Sequence, residues 1–176
     1  MATRETRQVD FERLALPHTR SLLRVARRLS PDRETAEDLV QETMLSAWRG
    51  FHQFRAGTNE RAWLFRILVN AAHARGRKLR VMPAVVSIAS HDVREPAAFP
   101  ENPSMLGAAD VAQALHELPV EHREVLLLGV VEGFTCREMA AILSIPIGTV
   151  MSRISRARQA LRDHLAPKFN YARNRV

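Results

Sequence analysis

Residues 134–161 read FTCREMAAILSIPIGTVMSRISRARQAL and have the pattern of two helices joined by a tight turn. Thr135 and Glu138 have the spacing of a capping box, which predicts that a helix begins at Cys136. The Ser-Ile-Pro-Ile sequence at 144–147 ends this helix, and a Gly-Thr pair then leads into a longer one. A short helix, a tight turn and a longer basic helix together predict a helix-turn-helix.

The second helix of this pair has an apolar face and a basic face. Its apolar residues repeat at helical spacing and are expected to face a core; they are Val150, Ile154, Ala157 and Leu161. Its other face carries serines and arginines, and residues 151–176 contain seven Lys or Arg against one acid. Arginine can bind guanine through two hydrogen bonds or clamp phosphates, and serine can contact bases or phosphates. The pattern favours reading of duplex DNA, and its alternative is a solvated basic helix at the end of a bundle.

Composition agrees with a nucleic-acid partner. The 176 residues have a net charge of +7 and a sequence pI of about 11.0, which suits a polyanion, although an inert basic surface is the alternative. Helix formers dominate, so the expected fold class is all-α. The single cysteine, Cys136, excludes an internal disulfide framework. Neither a signal peptide nor a membrane span is visible, so we expect a cytoplasmic protein without membrane insertion.

Upstream, residues 10–80 form a first block with three helical patterns. The first pattern contains Pro17, where we expect a kink or an interruption. The second is predicted to open at Ser30 as N-cap, with Pro31 at the first helical position. The third follows the polar turn 55–59 and ends in a run of basic residues. Three such patterns predict a small helical domain.

The remaining boundaries follow from proline placement and periodicity. Residues 81–107 contain four prolines and no clear period, so they are predicted to be a linker. Residues 108–166 are helical again and form a second block, followed by a basic tail at 167–176. The expected architecture is therefore two small helical domains joined by an extended linker.

Both blocks resemble one family. FTCREMAAILSIPIGTVMSRISRARQAL resembles the fourth conserved region of group IV (extracytoplasmic function) bacterial sigma factors. AEDLVQETMLSAWRGFHQF, at 36–54, resembles their second region, and RAWLFRILVNAAHARGRK follows it as in that family. The order and spacing of the motifs also fit, and the resemblance covers roughly residues 10–80 and 108–165. Ser144 stands where the family often has glycine at the turn.

The resemblance implies a sigma factor that binds core RNA polymerase, recognises the −35 and −10 elements of promoter DNA and promotes melting. It assigns −35 base contacts to Met151, Ser152, Ser155 and Arg156. Phosphate contacts at the −35 element are expected from Arg137, Gly148, Thr149, Arg153 and Arg158. At the −10 element, Asn70 is expected to contact a base and Trp63 to border the melted strand or belong to the core. Phosphate contacts at the −10 element are expected from Arg75, Arg77, Lys78 and Arg80.

Protein partners are implied in the same way. The second-region helix is expected to dock on the clamp helices of the largest polymerase subunit through Glu37, Asp38, Leu39, Gln41 and Glu42. The family is commonly held inactive by an anti-sigma factor, so one is expected here. The linker either passes near the RNA path of the polymerase or is a plain tether. Without the resemblance, the acidic face would be interpreted as a solvated helix surface.

No catalytic pattern is visible, so the chain is expected not to be an enzyme. His116, His122 and Cys136 lack the spacing of metal ligands, and neither a metal nor a cofactor is expected. Two rival functions remain. One is a transcriptional regulator that binds duplex DNA through the helix-turn-helix without core polymerase. The other is an enzyme acting on nucleic acid, which the absence of clustered acidic metal ligands disfavours.

Overall fold

The computed structural model describes residues 4–55, 57–81 and 107–173, and for residues 4, 78–81, 108 and 167–173 it describes the backbone alone. The predicted linker lies almost wholly outside the described residues, as do positions 174–176. Within the described ranges the fold is all-α, as predicted. Its α-helices are α1 (Arg4–Ala15), α2 (Thr19–Leu29), α3 (Arg33–Gly50), α4 (Glu60–Val81), α5 (Ala108–Glu117), α6 (Val120–Leu126), α7 (Cys136–Leu143) and α8 (Ile147–Arg173).

The start of the first block confirms the predicted interruption. Pro17 lies in a 3-10 turn, Leu16–His18, between α1 and α2. Proline lacks the amide proton that a continuous helix requires, so the chain changes helix type there. The next predicted boundary is wrong by two residues. Ser30 ends α2 by donating its amide to the carbonyl of Ala26, and α3 begins after Asp32.

Asp32 is the N-cap of α3 because its carboxylate satisfies two donors of the first turn. Its oxygens accept the amide N–H of Thr35 at 2.7 Å and the hydroxyl of the same residue at 2.9 Å. These hydrogen bonds lower the pKa of Asp32 below its ordinary value. Such a cap stabilises a helix by about 1 kcal/mol. The polar turn after α3 leads to α4, where Asn59 accepts the amide of Ala62.

The second block contains the predicted helix-turn-helix. Both halves of the capping box are present, because Thr135 and Glu138 each accept the other's backbone N–H. Ser144 ends α7 in the left-handed conformation, at φ 55°. Before this unit, α6 continues into a π-helical turn, Leu127–Val131. After it, α8 continues to Arg173, so its backbone is helical through most of the predicted tail.

The two blocks share one hydrophobic core instead of standing apart. Phe65 of α4 and Phe134, just before α7, pack edge to face with ring centroids 5.1 Å apart. Around them, buried residues of α2, α3 and α4 join Leu127, Leu128 and other residues of the second block in a single cluster. Burial of one large apolar side chain stabilises by about 1.5–3 kcal/mol, so this packing is substantial. Two helical units are therefore present, in direct contact.

Candidate nucleic-acid and polymerase interfaces

The outer face of α8 presents the predicted −35 readers together. Met151, Ser152, Ser155 and Arg156 are all exposed, and the Met151 side chain is 59% accessible. Val150 and Ala157 on the opposite face are fully buried. The apolar anchors thus hold α8 against the core while the four candidate readers point to solvent. This arrangement suits insertion of α8 into a major groove.

The hydroxyl of Ser152 has a defined role within the helix. Its Oγ donates to the carbonyl oxygen of Thr149 at 3.0 Å. A hydroxyl that donates internally keeps its lone pairs as acceptors. Ser152 can therefore accept a hydrogen bond from a base amino group, such as cytosine N4 or adenine N6, without leaving its helical partner.

The predicted phosphate contacts of the second block divide into two groups. Arg137, Gly148 and Arg158 are exposed, and Arg158 lies beside Met151 and Ser155 in a shallow groove between α7 and α8. Thr149 and Arg153 are half-buried. The Arg153 side chain lines a cavity of roughly 420 Å³ between the two blocks, together with residues of α4. In this arrangement Arg153 points away from the reading face.

The groove also contains an arginine that the sequence analysis missed. Arg162 is exposed and lines the same groove as Arg158, one helical turn further along α8. Its Nη2 donates to the side-chain oxygen of Gln159 at 2.7 Å. The helical spacing of 158 and 162 was the available signal for this residue.

The predicted −10 residues of α4 occupy different environments. Asn70 and Arg77 are exposed, whereas Trp63 is half-buried with its ring centroid 4.9 Å from that of Phe54. Trp63 thus packs with the aromatic residues that close the first block, which favours the core alternative. Lys78 and Arg80 lie on α4, but their side chains are outside the described residues.

Arg75 is held by α3 instead of projecting freely. Its Nε donates to Oε2 of Glu42 at 2.8 Å, and its Nη1 donates to the carbonyl of Thr35 at 3.3 Å. Arg66 is exposed on α4 and was missed by the sequence analysis. Positions 66, 70 and 77 lie within a narrow arc of an ideal helix, so Arg66 extends the face that carries Asn70 and Arg77.

The acidic face of α3 is only partly available for docking. Asp38 and Gln41 are exposed. Glu37 accepts a 2.7 Å hydrogen bond from Arg33, and Glu42 is paired with Arg75. The Leu39 side chain is 1% exposed, because it lies on the buried face of α3, and so it belongs to the core instead of to a docking surface.

Leu45 is an exposed apolar residue that the sequence analysis left out. It is 57% accessible, and it follows Gln41 by four positions and Asp38 by seven. This spacing places the three residues on one face of α3. A large exposed apolar side chain beside polar ones is typical of a protein-binding surface. The signal in the sequence was the helical register of position 45 with the acidic face.

Besides the 3.2 Å hydrogen bond from Nη1 of Arg123 to the carbonyl of Arg28, three polar contacts connect the two blocks among the described residues. The side-chain amide of Asn59 donates to Glu138 at 2.7 Å. Thr135 and then Asn59 donate hydrogen bonds that lower the pKa of Glu138. His73 Nε2 lies 2.6 Å from Oε1 of Glu124, and this hydrogen bond raises the pKa of His73. The third contact surrounds Glu132, whose side chain is fully buried.

Among the described residues, no group of three His, Cys, Asp or Glu side chains is placed to hold a metal ion. None of the described helices has the length and apolar character needed to cross a membrane.

Comparison with known families gives two matches in chain order. A family model of sigma-70 region 2 matches residues 14–91, and one of sigma-70 region 4 matches residues 108–161. The ECF RNA polymerase sigma factor SigE of Mycolicibacterium smegmatis is 39% identical over 168 residues, covering 89% of this chain and 62% of that protein. The ECF RNA polymerase sigma factor SigM of Mycobacterium tuberculosis is 36% identical over 151 residues, covering 86% and 74%.

Solved structures agree with these matches. The sigma factor RpoE of Bartonella quintana, in complex with the anti-sigma factor NepR, is 35% identical with a TM-score of 0.72, over 89% of this chain and 97% of that one. CnrH, in complex with the cytosolic domain of CnrY, is 28% identical with a TM-score of 0.66, over 91% and 90%.

The fold and its surfaces define an all-α protein of two contacting helical units, one of which carries a helix-turn-helix. The chain belongs to the sigma-70 family, in its extracytoplasmic function (ECF) group. The first block is hereafter the region 2 domain, and the second is the region 4 domain.

Proposed function

We propose that this chain is a promoter-specificity factor that binds core RNA polymerase, recognises −35 and −10 elements and promotes DNA melting. The observation that carries the proposal is the outward face of α8. Its four candidate readers are exposed to solvent, while Val150 and Ala157 on the opposite face are buried in the core. Family membership disfavours the rival regulator that works without polymerase, because region 2 would then have no partner. The chain supplies binding and selectivity, and the polymerase supplies catalysis.

The roles of the two domains follow from their exposed side chains. The region 4 domain reads the −35 element with Met151, Ser152, Ser155 and Arg156, and Arg137, Arg158 and Arg162 contact phosphates. The region 2 domain uses Asn70 for a −10 base and Arg66 and Arg77 for the strand backbone. Trp63, at the start of the same helix, packs against Phe54 and is kept as part of the core in this proposal.

Docking on polymerase is assigned to α3. Asp38 and Gln41 supply polar contacts and Leu45 supplies an apolar one. An interface of this kind takes most of its binding energy from a buried apolar anchor, while rim charges fix the orientation. The similar structure of RpoE was solved with the anti-sigma factor NepR, and that of CnrH with the cytosolic domain of CnrY. We therefore also propose that a protein inhibitor binds this chain. We propose as well that the chain acts in the cytoplasm, where RNA polymerase is found.

Run-off transcription with reconstituted core polymerase tests the proposed function. Fragments selected by the holoenzyme from a random library serve as linear templates. We expect a discrete transcript that requires both the chain and the selected promoter. A chain that binds duplex DNA alone but directs no transcript with core would support the rival regulator instead.

A matched pair of variants localises the docking surface. Asp38→Lys should weaken binding to core, whereas Asp10→Lys makes the same charge change at an exposed position of α1 and should not. If both variants bind core as the wild type does, the α3 face is not the docking surface.

A further inference from the structure

The cavity between the region 2 and region 4 domains has the size and lining of a small-molecule site. Its volume of roughly 420 Å³ falls in the range of about 300–1,000 Å³ that ligand pockets occupy. Its surface is mainly apolar and includes one residue from each of four helices, Leu29, Leu39, Val120 and Leu143. We call it the interdomain cavity.

Hydrogen bonds between the domains fix the two walls of the cavity relative to each other. Oε1 of Glu132 accepts Nε of Arg24 at 2.9 Å, and its Oε2 accepts Nη2 of Arg61 at 2.6 Å. The guanidinium of Arg61 also lies 4.4 Å from the ring centroid of Phe134. A cavity between walls held in this way is preformed, so a ligand does not have to order it on binding.

Glu124 lies in the wall with one unpaired oxygen. Its side chain is 2% exposed, and its Oε1 lies 2.6 Å from Nε2 of His73. No described group donates to Oε2, which is also buried. A buried carboxylate oxygen without a donor is unfavourable because it has left water and gained no hydrogen bond in exchange. The last torsion of a glutamate is soft, so a small turn of the carboxylate presents Oε2 to a donor in the cavity.

Arg153 of α8 supplies a second polar group to the same wall. It is half-buried, and among the described residues it makes neither a hydrogen bond nor an ion pair. Arg75 also lines the cavity, but its Nε is already bound to Glu42. A guanidinium binds a carboxylate through two parallel hydrogen bonds, so Arg153 is suited to a carboxylate ligand.

The charges of the wall select the kind of ligand. Its arginines outnumber its glutamates by three to two, and these residues are Arg75, Arg77, Arg153, Glu121 and Glu124. An added amine would increase this excess of positive charge, whereas a carboxylate would reduce it. The donor that suits Glu124 is therefore a neutral N–H or O–H group, and the ligand as a whole is an anion.

We propose that the interdomain cavity binds a small, mainly apolar carboxylic acid that also carries an N–H or O–H group. Its carboxylate binds Arg153, and its donor binds Glu124. Neither residue belongs to the surfaces proposed for promoter or polymerase binding, so the site goes beyond the proposed function and does not depend on it. Binding stabilises the folded chain, and at a ligand concentration of ten times Kd the ratio of folded to unfolded chain rises about elevenfold.

Indole carboxylates are probes that combine the three required groups, a ring N–H, an apolar ring and a carboxylate. Indole-3-carboxylate, indole-3-acetate, indole-3-propionate and indole-3-butyrate differ only in the length of the arm, so together they cover a range of separations between donor and carboxylate. Each is titrated into the full chain, labelled with ¹⁵N, and followed by NMR. Acetate alone is the control for binding of any anion.

At least one probe should give saturable shifts of the backbone amides of Ala72, Glu124 and Arg153. The expected Kd is about 0.1–1 mM, as is usual for a ligand of this size. The proposal is overturned if none of the four probes gives such shifts at concentrations up to about 10 mM. It is also overturned if acetate gives the same shifts as the indole probes.

Methyl isomers of the best probe test the donor. The 1-methyl isomer lacks the ring N–H and should bind at least about tenfold more weakly, the effect of one lost hydrogen bond to a charged acceptor. The 2-methyl isomer adds the same methyl group but keeps the N–H, so it should retain binding. Glu124→Gln should reduce the difference between the isomers, since a neutral amide is a weaker acceptor than a carboxylate. Equal affinity of the two isomers for the wild type would contradict the assigned role of Glu124.

A substitution in the wall tests the carboxylate contact. Arg153→Gln should weaken the best probe about tenfold or more, and it should leave the neutral alcohol of the same arm length unaffected. Arg49→Gln makes the same change at an exposed position of α3 outside the cavity and should bind the probe as the wild type does. Dispersed amide signals confirm that each variant is folded. Unchanged probe binding by Arg153→Gln would overturn the proposal, whereas failure to direct transcription would contradict the proposed function alone.

Discussion

Nε of Arg75 donates a 2.8 Å hydrogen bond to Oε2 of Glu42, so an ion pair joins the helix proposed to face DNA to the helix proposed to face polymerase. Each side chain has a competing use, since Glu42 was predicted to bind polymerase and Arg75 to bind phosphate. The pair is partly exposed, with 30% and 44% of the two side chains accessible. Such pairs contribute only about 0–1 kcal/mol, so a partner can replace either member at little cost.

The first prediction separates docking from this internal pair. Asp38→Lys should weaken core binding without changing the melting temperature, because Asp38 is exposed on the docking face. Glu42→Lys should weaken core binding and also lower the melting temperature slightly, since it places a cation beside Arg75. Titration of labelled chain with core at two salt concentrations, together with thermal unfolding, measures both effects. Equal melting temperatures for wild type and Glu42→Lys would show that the pair contributes nothing to stability.

The second prediction distinguishes base reading from phosphate contact on α8. Arg156→Ala should cost about 1–3 kcal/mol for the preferred −35 sequence and relax selectivity at one position. Arg158→Ala should weaken binding about equally for all sequences and reduce its salt dependence, as expected of a phosphate contact. Holoenzyme binding to a set of single-base −35 variants measures both profiles. Uniform weakening by Arg156→Ala would remove that residue from the readers.

Local spacing predicted the helix-turn-helix because its determinants are near neighbours in the chain. The capping box joins residues three apart, and the faces of α8 repeat every three or four positions. The start of α3 was predicted wrongly because Ser30, Pro31 and Asp32 all suit a helix start. Because Ser30 is the C-cap of α2, Asp32 is the residue that caps the start of α3.

The interdomain packing could not be predicted from such patterns. Arg24 and Glu132 are 108 positions apart, and Arg61 and Glu132 are 71 apart. Neither pair has a periodic signal, and a glutamate at the end of a helix is usually solvated. The pairing of Arg75 with Glu42 depends likewise on how α3 and α4 cross. Local motifs identified the surfaces, and tertiary contacts decided which of their side chains remain exposed.

The third prediction concerns the turn of the helix-turn-helix. Ser144 adopts φ 55°, a conformation that costs a side-chain-bearing residue about 1 kcal/mol and costs glycine little. Ser144→Gly should therefore raise the free energy of unfolding by a few tenths to about 1 kcal/mol, the gain being reduced by the greater entropy of glycine in the unfolded chain. Ser144→Val should lower it, because a β-branched residue is poorly tolerated there. Urea unfolding measures both changes, and a stability order of Val above Gly would contradict the assigned strain.

The fourth prediction is a pH dependence of folding stability through His73. Glu124 raises the pKa of His73 above its ordinary value in the folded chain, mainly through the 2.6 Å hydrogen bond. A raised histidine pKa means that the protonated form is favoured by folding, so the stabilisation is fully present below about pH 6.5 and is lost as pH rises through the raised pKa. His73→Gln removes this contribution. Its melting temperature should lie furthest below the wild type in acid, and the difference should shrink as the pH rises through the raised pKa of His73.

The matched control is His52→Gln. His52 is an exposed residue of the region 2 domain, and its described hydrogen bonds are with Arg49 and Gln53, its neighbours in sequence. The control makes the same substitution without touching the hydrogen bond between His73 and Glu124, so it controls for the loss of an imidazole alone. The pairing of His73 with Glu124 would be contradicted if the difference in melting temperature between wild type and His73→Gln stayed constant or grew with pH. A neutral imidazole loses the charge-assisted hydrogen bond to the carboxylate, so the difference should decrease.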